Sequence, residues 1–101
     1  MPRLRTTPEA KAFGVFLGRV LRAARRSRGI KAHSLAEDVG TTQQAVSFWE
    51  TGKTVPEMRN LFSACRVIGV PVWRVIARAE RAYEMDRTMK RDAAKHERIE
   101  E

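Results

Sequence analysis

The sequence predicts an all-α fold of five short helices with a C-terminal helical extension. Three observations carry that prediction. Apolar residues recur at steps of three and four in successive segments, and apart from Gly14 and Gly18 the Gly and Pro residues fall between those segments. No stretch alternates with period two for long enough to make a strand.

Residues 1–10 contain Pro2, Pro8 and paired threonines with Arg3 and Arg5, and read as a flexible basic arm. Phe13, Phe16, Leu17, Val20, Leu21 and Ala24 then mark a first amphipathic helix over 13–28, stopped by Gly29. Its other face holds Arg19, Arg22, Arg25, Arg26 and Arg28, either a solvated face or a stripe facing phosphates. A second helix, barely two turns long, covers 32–39 with Leu35, Ala36 and Val39 on one side, and Gly40 breaks it.

Thr42 is a good N-cap for a third helix, because its hydroxyl accepts an orphan backbone N–H. Ala45, Val46, Trp49 and Glu50 follow at helical spacing until Gly52. Pro56 sits near the start of a fourth helix whose apolar face is Met58, Leu61, Phe62, Cys65 and Ile68, ending at Gly69. Pro71 opens a fifth through Val72, Val75, Ile76, Ala79 and Tyr83. Beyond Tyr83 only Met85 and Met89 interrupt a charged run, which reads as a solvated tail or a helix meeting a second subunit. The expected organisation is an arm over 1–10, a domain over 11–80 and a helical tail over 81–101.

Composition narrows the function. The 101 residues hold 20 Lys+Arg against 12 Asp+Glu, a net charge of +8, which favours a polyanion partner, with nucleic acid ahead of an anionic membrane. No apolar run approaches the roughly 20 residues of a membrane span and no signal-like segment opens the chain, so the expected setting is cytoplasmic, in a bacterium or a phage-infected host. Cys65 stands alone and reads as a small buried apolar side chain. His33 and His96 have no triad around them and cannot build a zinc site with one cysteine. Without an acid–base pair, metal cluster or phosphate loop, an enzyme, a metal or a cofactor finds no support.

The run from Leu35 to Thr51 has the pattern of a helix-turn-helix. Ala36 allows the two helices to cross closely, Gly40 permits the left-handed turn, and Val46 packs the second helix onto the first. Gln43 and Gln44 open that second helix. A glutamine amide offers one acceptor and two donors, so it pairs bidentately with adenine N6 and N7. Two solvent-facing glutamines, chosen for helicity, are the alternative.

From Leu17 to Ile76 the chain resembles the lambdoid Cro/repressor helix-turn-helix family, also called the xenobiotic-response-element family. The resemblance rests on FLGRVLRAARRSRGI, on LAEDVGTTQQAVSFWETGKTVPE and on RNLFSACRVIGVPVWRVI. The VGTTQQ run and the E-x-G-K-T after it are similar to short phage repressors whose recognition helix starts with paired glutamines. That resemblance implies a sequence-specific, usually dimeric DNA-binding protein whose third helix enters the major groove of double-stranded DNA.

On this reading Gln43, Gln44, Ser47 and Phe48 are expected to contact bases, Phe48 through thymine methyls or sugar. Contact with a partner protein, or a ring folded over locally, are alternatives for Phe48. Thr42, Lys53, Lys31, His33 and Arg22 are expected on the DNA backbone. Lys31 and Ala32 stand where the family usually has a polar cap and a glutamine. The resemblance further implies a structural ion pair between Arg25 and Glu50. Trp73, Ile76 and Tyr83 are candidate dimer contacts, with core packing against the first helix as the alternative for Trp73. The leading expectation is a repressor that binds a palindromic operator as a homodimer, with half-sites about 34 Å apart. An antitoxin whose tail holds a small protein partner, and a protein-interaction module on the same fold, are the alternatives.

Overall fold

A computed structural model describes residues 6–100, with side chains through residue 95. Arg3 and Arg5 of the expected arm, and His96, lie outside the described residues. Five helices follow one another: α1 Pro8–Ser27, α2 Ala32–Val39, α3 Gln43–Thr51, α4 Met58–Ile68 and α5 Val72–Glu100.

Helix α1 starts earlier than its apolar periodicity announces. Thr7 is the N-cap, its hydroxyl accepting from the Ala10 N–H at 3.1 Å, and Pro8 occupies the first turn with its ring already set for helix. That turn is exposed and carries Glu9 and Lys11, so no apolar stripe marks it. The arm expected over 1–10 therefore gives way to helix at Pro8.

The core draws on every helix: Leu17 and Leu21 from α1, Leu35 and Ala36 from α2, Val46 and Trp49 from α3, then Leu61, Ala64, Cys65 and Ile68 from α4 and Val75 and Ala79 from α5. Leu21, Leu35 and Val46 have no exposed surface. Burial of such side chains contributes about 1.5–3 kcal/mol each. Helix α4 departs from its expected face, because Ala64 takes the inward position while Met58 and Phe62 remain exposed. Cys65 is buried, and burial pushes its thiol pKa up.

Two backbone devices aim α3. Gly40 caps α2 at φ 86°, a left-handed conformation, and it lets the Gly40 and Thr41 N–H groups both reach the Ala36 carbonyl at 2.9 Å. Gly18 lies where α1 crosses α3 so closely that a Cβ there would collide with the Trp49 carbonyl oxygen. Helix α3 is thus seated against α1 by backbone contact as well as by side chains.

Helix α5 runs unbroken through the boundary expected at 80–81. Its first three turns pack on α1, where Tyr83 meets Phe16 edge-on with ring centroids 6.4 Å apart. The rest extends past the core, giving a radius of gyration of 16.1 Å where a compact chain of this length has about 13 Å. Among the described residues no single helix is long and apolar enough to cross a membrane.

Candidate nucleic-acid interface

Thr42 caps α3 by accepting from the Ala45 N–H at 3.1 Å, which sets the first turn of the helix. Rotation of about 100° per residue then divides the helix between two faces. Val46, Trp49 and Glu50 are buried, while Thr42, Gln43, Gln44 and Ser47 are exposed. The polar amides and hydroxyls stand together on the outward face at the N-terminal end.

The inward face is held by charge as well as by packing. Arg25 donates from Nε to Glu50 Oε2 at 2.7 Å and from Nη2 to Glu50 Oε1 at 2.9 Å, a bidentate pair. Its Nη1 donates to the Ile30 carbonyl at 2.6 Å. Arg25 is 8% exposed and Glu50 6%. The hydrogen bonds to Glu50 raise the arginine's pKa above its ordinary value, outweighing the opposing effect of burial. The bonds tie α1, the α1–α2 loop and α3 at one point.

Phe48 is half-buried rather than free, because the Lys53 ammonium lies over its ring at 4.4 Å from the centroid. Gly52, left-handed at φ 79°, turns the chain so that Lys53 comes back over the helix. That contact, invisible in periodicity, joins an expected base contact to an expected backbone contact.

The expected backbone residues border the same face. Arg22, Ala32, Gln43, Ser47 and Thr51 line an open cleft of about 210 Å³ whose floor is Arg25 and Glu50. Lys31 is the N-cap residue of α2 but makes no side-chain cap, and it and His33 are exposed beside that cleft's Ala32. At the far end of α3, Lys53 shares a cleft of about 490 Å³ with Lys11, Gly52 and Thr54. Lys11 was not legible as a site residue, since only the fold carries the first turn of α1 to the end of α3.

The three dimer candidates separate. Trp73 is 63% exposed with Arg74 over its ring, which excludes the core-packing alternative. Ile76 and Tyr83 are half-buried within their own chain, Ile76 on the core and Tyr83 on Phe16, which leaves each only partly exposed.

A short helix joined by a left-handed glycine to a second helix with a polar outward face defines a helix-turn-helix DNA-binding protein. The helix-turn-helix family model matches residues 21–72, and the chain belongs to that family, of Cro/C1 type. It is a DNA-binding transcriptional regulator. Two solved structures of the clp gene regulator ClgR from Corynebacterium glutamicum are similar to it. One has a TM-score of 0.75 at 24% identity over 81% of this chain and 87% of that one, a likeness of fold. The other has a TM-score of 0.65 at 28% identity, covering 67% of this chain and 87% of the other. No curated protein sequence matches the chain.

Proposed function

We propose that the protein is a sequence-specific repressor that binds a palindromic operator as a homodimer, with α3 in the major groove. The observation that carries this reading is the division of α3 into a face locked by Val46, Trp49 and Glu50 and an exposed face of Gln43, Gln44 and Ser47. Locking one face holds the other in a fixed pose, which base reading requires.

Gln43 and Gln44 supply the donor–acceptor pairs that select adenine, and Ser47 adds a hydroxyl one turn on. The Phe48 ring, pinned by Lys53, offers an apolar edge to thymine methyls. Arg22 in one bordering cleft and Lys53 with Lys11 in the other serve phosphates, together with the exposed Thr42, Lys31 and His33. Trp73 is the remaining exposed dimer candidate of the three. Occupancy of a promoter by such a dimer blocks transcription without any further activity.

Selection of bound duplexes from random DNA, with the mass of the resulting complex, tests the reading. It is supported by an inverted repeat carrying A·T pairs under each α3 and by two chains per duplex. Recovery of unrelated sequences, or one chain per duplex, counts against it.

A further inference from the structure

Where α4 gives way to α5 the chain turns by 106° over residues 69–71, and the corner holds an open cleft of about 440 Å³. That lies within the roughly 300–1,000 Å³ of pockets that enclose small ligands. Its floor is Cys65 and Val70, both buried. Phe62 of α4 and Trp73 of α5 also line it, yet they are 52% and 63% exposed. The outward face of α3 uses neither ring, and two exposed aromatics beside one apolar cleft mark a surface that meets something.

The polar groups at this corner favour one sign of charge. Arg66 is the one charged residue lining the cleft, and it has no ion-pair partner among the described residues. Pro71 opens α5 without a polar side chain to cap it. The Arg74 and Val75 N–H groups reach the Pro71 carbonyl at 3.0 and 3.4 Å, whereas those of Val72 and Trp73, which line the cleft, find no acceptor among the described residues. The carbonyls that end α4 would repel an anion, but Arg28 donates to those of Ile68 and Gly69 at 3.1 and 3.4 Å. Arg74 adds a guanidinium 5.4 Å from the centroid of the Trp73 ring. No carboxylate lines the cleft.

We infer that this corner binds a small aromatic monocarboxylate, its ring against Phe62 and Trp73 and its carboxylate on Arg66 and the free N–H groups of Val72 and Trp73. Burial of the ring drives binding, and the arginine with the start of α5 selects the charge, since a guanidinium fork matches a carboxylate and a helix N-terminus favours an anion. A second copy of the chain is a poor occupant of the cleft, because a two-fold axis through it would set Arg66 against Arg66 of the partner subunit. The inference goes beyond the operator reading and stands apart from it, as no residue of the cleft belongs to the outward face of α3.

The test is a titration of the full chain followed by its amide NMR shifts, with three probes: indole-3-acetate, its neutral isostere indole-3-acetamide, and acetate. Indole-3-acetate is expected to bind one per chain with a Kd on the order of 1 mM, the affinity that ordinary ligand efficiency gives for about 13 non-hydrogen atoms. The saturable shifts should cluster in residues 62–73 and include the Val72 and Trp73 amides. Indole-3-acetamide and acetate should each bind at least about fivefold more weakly, since each lacks half of the recognition. Arg66→Gln should bring indole-3-acetate down to the affinity of the amide and leave the amide unchanged, a split that an arginine with only a structural role would not give. Trp73→Ala should abolish binding of both. Both side chains are exposed, and circular dichroism checks that each variant keeps its fold.

Absence of saturable shifts in residues 62–73, the outcome expected if the cleft serves only a larger partner, overturns the inference. So does an amide that binds as tightly as the carboxylate, or an Arg66→Gln variant that binds indole-3-acetate as the wild type does. Sedimentation equilibrium under the same conditions separates the remaining occupant: probe binding that disappears as the chain dimerises assigns the cleft to a second copy and likewise overturns it.

Discussion

Arg25 and Glu50 face each other across the α1–α3 crossing with two parallel hydrogen bonds of 2.7 and 2.9 Å, nearly sealed from water. Such a pair contributes less to net stability than its geometry suggests, because both ions gave up their hydration. What it specifies is position: α3 can rotate neither way without stranding a charge. Glu50→Gln is therefore expected to lower stability by about 3–5 kcal/mol, the cost of leaving a buried arginine without its counter-ion. Arg25→Met with Glu50→Leu should recover most of that loss. Thermal melting of the three proteins checks both statements, and an unchanged melting temperature for Glu50→Gln would show the pair to be dispensable.

Gly18 makes the same crossing possible through backbone contact. In an exposed helix Gly→Ala stabilises by up to about 1 kcal/mol. Here the added methyl meets the Trp49 carbonyl oxygen, with the Glu50 carbonyl carbon and oxygen each at 3.0 Å, and neither belongs to a flexible side chain. Gly18→Ala should instead destabilise by about 1–3 kcal/mol, as overpacking does, and denaturant unfolding gives the sign directly.

Lys53 carries two connected roles, a phosphate contact and a cap on the Phe48 ring. Lys53→Ala is expected to weaken binding to specific and random duplexes alike and to reduce the slope of log affinity against log salt by about one. A salt slope equal to the wild type's would remove Lys53 from the phosphate contacts.

Burial of Cys65 gives the core an alkaline-sensitive component. Its thiol is buried and its pKa raised above the ordinary 9.0, so the folded state holds this proton more tightly than the unfolded chain does. The resulting stability is fully present below pH 9.0 and declines as pH rises through the folded value. Unfolding free energies measured across that range should fall for the wild type, and Cys65→Ala should remove this component of the fall.

Much of this architecture was legible in the sequence because glycines punctuate it. Gly40, Gly52 and Gly69 end α2, α3 and α4 where the apolar pattern stops, each with positive φ. The inward set of α3 followed from spacing alone. The start of α1 did not, since an exposed first turn carries no periodicity and only the Thr7–Pro8–Glu9 cap signature marks it. For Ile76 and Tyr83 a one-dimensional pattern cannot tell an apolar stripe facing its own core from one facing a partner. The cover of Lys53 over Phe48 depends on a reversal at Gly52, and the approach of Lys11 to Lys53 on the path of the whole fold. The Arg25–Glu50 pairing came from family resemblance, because spacing placed Glu50 on the buried stripe without naming its partner.

The central claim is that the exposed face of α3 reads bases. The measurement closest to it is the ratio of affinities for a selected operator and for random duplex at fixed salt, taken for the wild type and for Gln43→Ala with Gln44→Ala. The account predicts that the double variant keeps the wild-type melting temperature and its affinity for random duplex while the ratio falls toward one, each lost bidentate pair removing about 1–3 kcal/mol of discrimination. An unchanged ratio in a folded double variant would contradict it.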